Sequence, residues 1–127
     1  MGLKLTHKQL KDLGAWDREL EWFDMIPDKT PRGLLRAAKR AGTKKLGYCN
    51  WIVVRLLSDE DKEKYAKYSD KVSGQHSMRG SSSMSEYAAW AATYAADYSK
   101  NERETLSKII EYGVKLLEGS NAPTSRH

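Results

Sequence analysis

Cysteine is almost missing from this chain of 127 residues. Cys49 stands alone, so no internal disulfide can form, and a reducing compartment suits the chain. Long apolar runs are missing as well. The uncharged stretches Leu46–Val54 and Tyr87–Ala96 are about half of what a membrane-spanning helix needs. The first residues, Met1 to His7, lack the apolar core of a signal peptide. The expectation is a cytoplasmic protein with no membrane partner.

Catalytic and cofactor signatures are absent too. No pair of Cys or His residues has zinc spacing, and neither phosphate-cradling glycine pattern occurs. Asp17, Glu21 and Asp24 form a carboxylate stripe, but the Glu-x-x-His motif of two-metal bundles is missing, so the stripe reads as a solvated acidic face. The histidines are His7, His76 and the last residue, His127. They offer no preorganised partner for a nucleophile, and Cys49 sits in the most apolar segment, where a thiol is inert. Neither enzyme activity nor a cofactor or metal is expected.

What the chain does have is helical periodicity with caps. Its length suits one domain, expected over residues 1–119 with a tail at 120–127. Thr6 and Gln9 read as a capping box, opening a short helix that Gly14 ends. Ala15–Met25 places Trp16, Leu20 and Phe23 on one apolar stripe. Thr30 and Pro31 are N-cap and first residue of a helix reaching about Ala41, with Gly42 as C-cap. On it, Leu34, Ala38 and Ala41 face the core. Lys44–Leu57 is apolar nearly all round, apart from Asn50 and Arg55, which predicts the most buried helix. Ser58 caps Asp59–Ser69. A Ser/Gly-rich segment, Ser73–Ser85, predicts a mobile loop over about 72–84. Ser99 with Glu102 is a further capping box, before a last helix whose stripe is Leu106, Ile109, Ile110, Gly113, Leu116 and Leu117, stopped by Gly119. No strand pattern competes, so an all-α bundle of about five to six helices is expected.

Between the loop and the last helix lies Tyr87-Ala-Ala-Trp90-Ala-Ala-Thr-Tyr94-Ala-Ala-Asp-Tyr98. Tyr87, Ala91, Tyr94 and Tyr98 share a face. Alanines admit a second helix closely and the rings fill the gaps, which suits packing and allows a homodimer contact. Trp16 and Trp51 are expected in the core, and Trp22 and Trp90 on second packing faces. Leu13-Gly14-Ala15-Trp16 and Leu46-Gly47-Tyr48-Cys49 echo each other, too few copies for a repeat.

The net charge of +5 is unevenly held. Lys29, Arg32, Arg36, Lys39, Arg40, Lys44 and Lys45 lie in one segment without an acid, while the remaining chain has fifteen cations against seventeen acids. On a helix, Arg32, Arg36, Lys39 and Arg40 fall within roughly a third of the circumference. The stripe is the candidate binding site, either for an acidic protein surface or for phosphates. The segment carries no aromatic for base stacking and matches no named nucleic-acid motif, which ranks protein above nucleic acid.

In order along the chain, Gly14-Ala-Trp16, Leu20-Glu-Trp-Phe23, Asn50–Leu57, Lys64-Tyr-Ala-Lys-Tyr68, Tyr87–Ala92 and Tyr112–Leu117 are similar to segments of the Ala-rich helical proteins of the Imm-5-like immunity type, many of them phage-encoded. The resemblance spans residues 14–118 and rests on packing motifs. The family often has Cys where this chain has Trp16, and its Ala-rich repeats run longer. The resemblance implies an α-helical phage or mobile-element protein, at work in the host cytoplasm. Such a protein acts by stoichiometric protein binding as an inhibitor, immunity-like or anti-defence, an anti-CRISPR being one form. Its partner would be a host or rival protein or a nucleoprotein complex. The alternative is a nucleic-acid-binding accessory protein using residues 29–45.

Overall fold

Local signals set the helix ends. The structure, a computed structural model, describes residues 4–73, 84–97 and 99–120, without the side chains of residues 73, 84–87, 90, 94 and 120. Among them run α1 (His7–Leu13), α2 (Asp17–Asp24), α3 (Pro31–Ala41), α4 (Thr43–Leu56), α5 (Asp59–Ser73), α6 (Met84–Asp97) and α7 (Glu102–Ser120), with no strand. The all-α class is as expected, with seven helices rather than five or six. None is long and apolar enough to cross a membrane among the described residues.

The Thr6 box closes both ways: Thr6 Oγ1 accepts from the Gln9 N–H at 3.1 Å, and Gln9 Oε1 accepts from the Thr6 N–H at 3.0 Å. Gly14 ends α1 at φ 105°, a left-handed conformation that costs other residues strain. Thr30 Oγ1 accepts from the Gly33 N–H at 3.0 Å, with Pro31 in the first turn of α3. Gly42 at φ 116° is both C-cap of α3 and N-cap of α4, so one residue separates these helices. Ser58 Oγ accepts from the Asp61 N–H at 3.1 Å.

Three helix ends differ from expectation. Helix α7 is capped by Asn101, whose Oδ1 accepts from the Glu104 N–H at 3.1 Å. Ser99 instead turns back and donates to the Ala96 carbonyl at 2.8 Å, closing α6. Helix α7 also runs through Gly119 to Ser120, and α5 continues past Ser69 to Ser73. The expected loop between α5 and α6 falls mostly outside the described residues, as does the tail from 121.

One hydrophobic core draws on every helix. Helix α4 is central, packed on α3, α6 and α7, while α5 lies against α6 and α7. Leu46, Cys49, Asn50, Ile52, Val53 and Val54 of α4 are buried. The alanines of α6 do what their size suggests: Ala88, Ala91, Ala92, Ala95 and Ala96 are all buried. The side chains of Tyr87, Trp90, Tyr94 and Tyr98, and with them the expected aromatic face and homodimer contact, lie outside the described residues.

Asn50, the polar exception in α4, is explained by three helices meeting. Its Oδ1 accepts from the Tyr65 hydroxyl at 2.6 Å, and its Nδ2 donates to the Ala89 carbonyl at 3.1 Å. Buried polar groups demand such partners. The fully buried Tyr65 packs beside Gly113 of α7, where a side chain would have no room. Of the last helix's stripe, Leu106, Ile109, Ile110, Gly113 and Leu117 are buried and Leu116 is half-buried.

Candidate functional site

The seven cations of residues 29–45 do not form one surface. Lys29 turns inward: its Nζ donates to the carbonyls of Ile26 and Asp24 and lies 5.1 Å from the centroid of the Phe23 ring. Arg32 spans to α7 instead of facing solvent. Its Nε and Nη2 grip Glu118 at 2.8 and 2.9 Å, and Nη1 reaches Glu111 at 2.9 Å. Glu118 is held below the ordinary carboxylate range by this hydrogen bonding, and Arg32 is held firmly charged. Arg36 stands 3.6 Å from Asp28, whose carboxyl is lowered first by the Thr30 side chain, which donates to it at 2.8 Å, with Arg36 a smaller contributor. These residues tie α3 to its surroundings.

Lys39, Arg40 and Lys44 are exposed and have no ion pair among the described residues. Ala41, expected to face the core, is exposed as well, because α3 ends there and the chain swings away at Gly42. The outward basic surface is thus the C-terminal turn of α3 and the first turn of α4. Two cations that the sequence places far away join it. Arg103 of α7 donates through Nη2 to the carbonyl of Lys39, and Lys39, Arg103 and Lys108 line one shallow depression of about 510 Å³ with Glu104 and Glu111. No periodicity could reveal this, since Lys39 and Arg103 are 64 positions apart.

At its other end the basic surface meets aromatic rings. Lys44, Gly47, Tyr48 and Trp51 follow helical spacing on α4 and so share a face. With Gly14, Ala15, Trp16 and Glu19 they line a cleft of about 320 Å³. Both copies of the weak Gly-containing echo therefore border it. Trp22 meets Tyr48 edge-on at 5.7 Å and 65°, and Tyr48 stacks on Trp51 at 6.2 Å and 21°, both favoured ring arrangements. Cations of the chain sit over the two outer rings: Lys45 lies 5.3 Å from the Trp22 centroid and Arg55 lies 4.2 Å from that of Trp51. Burial pushes the Tyr48 hydroxyl up, helped by the charges of Glu19 and Asp24. That hydroxyl is buried without a partner among the described residues.

Trp22 packs on a second helix as expected, but Trp51, expected in the core, is only half-buried at its edge, because it stacks on Tyr48 and lines the cleft. Trp16 does not join the core. Helix α2 begins at Asp17, leaving Trp16 as its extended N-cap at φ −81° and ψ 158°, so the stripe Trp16–Leu20–Phe23 loses its first member. Trp16 is 75% exposed, at the cleft mouth.

Cys49 is fully buried, with its thiol pushed up by burial. His7 pairs with Asp24 at 3.0 Å, which engages one member of the acidic stripe. Among the described residues no group of three or more His, Cys, Asp or Glu could hold a metal ion. His76 and His127 lie outside the described residues.

In comparison with known proteins, the chain matches no family model, no curated protein and no solved structure.

Proposed function

We propose that the protein acts by stoichiometric binding to another protein, as an inhibitor of the immunity or anti-defence kind carried by a phage or mobile element. The phage setting rests on the sequence resemblance alone. One observation carries the binding reading: an outward basic surface, Lys39, Arg40 and Lys44, runs into a cleft whose mouth holds an exposed tryptophan. Tryptophan, tyrosine and arginine dominate binding hot spots, and a one-signed rim steers a partner of opposite charge.

Nucleic-acid binding is the second reading. It gains from the rings beside Lys44, because base stacking on aromatics beside cations is how single strands are held. Against it stands Glu19, a carboxylate on the cleft that a phosphate chain would meet.

The test is affinity capture from host lysate at low salt, with the wild-type protein and the double variant Lys39→Glu, Arg40→Glu. The expected result is a protein partner in fixed ratio, released by added salt and lost with the variant. Capture of nuclease-sensitive material alone supports the second reading. Equal capture by both proteins overturns the assignment of the surface.

A further inference from the structure

The aromatic cleft has a chemistry of its own, separable from the basic surface that it adjoins. We propose that it is an anchor site for an acidic peptide segment of the partner, one neutral aromatic side chain of which enters between Trp16 and the stacked Tyr48–Trp51 pair. This rests on the reading of the basic surface as a protein-binding face and names what that face recognises.

The size of the cleft decides how much enters. At about 320 Å³ it lies at the lower end of ligand-binding cavities, enough for one ring system. Its walls are indole and phenol, which favour a flat apolar guest in offset or edge-on contact. The local charges exclude a cationic guest. Arg55 already lies over the Trp51 ring and Lys44 stands on the rim, so a lysine or arginine side chain would be repelled there. The same cations fit a guest whose neighbours are acidic. Lys44 meets a carboxylate beside the anchor, and Arg40 and Lys39 stand across Gly42 in the last turn of α3. Glu19 lines the cleft near Tyr48, where its carboxylate can accept a peptide N–H. A phosphodiester backbone carries charge of the wrong sign there and no donor.

Two positions allow the cleft to be changed without disturbing the fold. Trp16 is mostly exposed and makes no side-chain cap, and a Cβ placed on Gly47 meets nothing within 4 Å. Trp16→Ala removes one wall, and Gly47→Leu fills the space from the floor.

The experiment uses fluorescein-labelled probes and anisotropy at low salt, on the full chain with far-UV circular dichroism as the fold control. The probes are a short Asp/Glu peptide with one central Phe, the same peptide with Ala for Phe, a Lys peptide with the central Phe, and an oligothymidylate. The Phe acidic peptide is expected to bind about tenfold tighter than its Ala counterpart. Both Trp16→Ala and Gly47→Leu should abolish that preference while leaving the affinity of the Ala peptide in place. Equal affinities for the Phe and Ala acidic peptides overturn the anchor site and leave the basic surface standing. Failure of both acidic peptides to bind, or tighter binding of the Lys peptide or the oligothymidylate, overturns the anchor site and the protein-binding reading together.

Discussion

At the residue scale, two glycines inside helices show how one residue type serves opposite purposes. Gly113 of α7 sits where a Cβ would lie 2.6 Å from Tyr65 Cε1 and 2.7 Å from Val53 Cγ1. Tyr65 has no freedom to retreat, since its hydroxyl is fixed to Asn50 at 2.6 Å and the ring is fully buried. Gly47 of α4 faces the open cleft, and a Cβ there meets nothing within 4 Å. Alanine improves helix propensity by about 1 kcal/mol over glycine, while overpacking a tight core costs about 1–3 kcal/mol. Gly113→Ala is therefore expected to lower stability by about 1 kcal/mol net, and Gly47→Ala to raise it by about 0.5–1 kcal/mol. Urea unfolding midpoints would check the opposite signs. Equal shifts of one sign would mean that Tyr65 yields and that close approach is not why glycine stands at 113. The sequence shows Gly113 on an apolar stripe, and its need for a missing side chain appears only once Tyr65 is brought from a different helix.

At the element scale, helix α3 is held by ion pairs at its first turn, while the side chains of Lys39 and Arg40 in its last turn make none among the described residues. Arg32 carries the tie to Glu118 and Glu111, with side chains about a third to two-fifths exposed. Solvent screening at that exposure limits the pair to a modest contribution, on the order of 1 kcal/mol. Its pH dependence has a definite sign. The folded-state carboxyl of Glu118 is lowered from its ordinary 4.5, chiefly by Arg32, and that of Asp28 from 3.8, chiefly by Thr30. Their stabilisation is fully present above those ordinary values and is lost as pH falls through the lowered ones. Glu102 has the opposite sign: its carboxyl is raised by sharing a hydrogen bond with Asp97, an effect confined to the exposed surface. Arg32→Gln should lower Tm at neutral pH, and the gap from wild type should close as pH falls through the lowered Glu118 carboxyl, below its ordinary range. A gap unchanged by acid would remove the ion pair as its cause. Caps that act locally, such as Thr6, Thr30, Gly42 and Ser58, were legible in the sequence because each bonds within a few positions. The α7 cap was misplaced because Ser99 and Asn101 are both good caps. The choice fell to a bond from Ser99 to the preceding helix. Arg32 reads as a surface cation in the sequence because its partners on α7 are brought to it by tertiary packing, whereas Lys29 folds back on the nearby carbonyls of Asp24 and Ile26, main-chain partners that no side-chain pattern marks.

At the scale of the whole molecule, the helices are unequally secured. Helices α1 and α2 pack chiefly on each other, whereas α4 is enclosed by α3, α6 and α7. Trp22 on Tyr48 and the backbone bond from the Leu5 N–H to the Lys29 carbonyl at 2.7 Å help join the N-terminal pair to the rest. Regions with fewer enclosing contacts open at lower free energy than the core. Amides of α1 and α2 are thus expected to exchange with solvent faster than those of α4 and α7 in native-state hydrogen exchange. The cleft lies across this boundary, with Gly14, Ala15, Trp16 and Glu19 on the N-terminal side and Lys44, Gly47, Tyr48 and Trp51 on α4. A ring seated between Trp16 and Tyr48 would bridge the two parts and stabilise the closed state by mass action. Adding the acidic Phe peptide should therefore slow exchange in α1 and α2 while leaving α7 unchanged. Uniform slowing would mean that opening is global and that the cleft does not divide separately unfolding parts. Uniform rates across all helices without peptide would show that the shared core makes the fold a single cooperative unit. Sequence periodicity assigns each helix a buried face but not the strength with which one helix grips another. For that reason an exposed Trp16 and a cleft between separately secured parts emerge only from the fold.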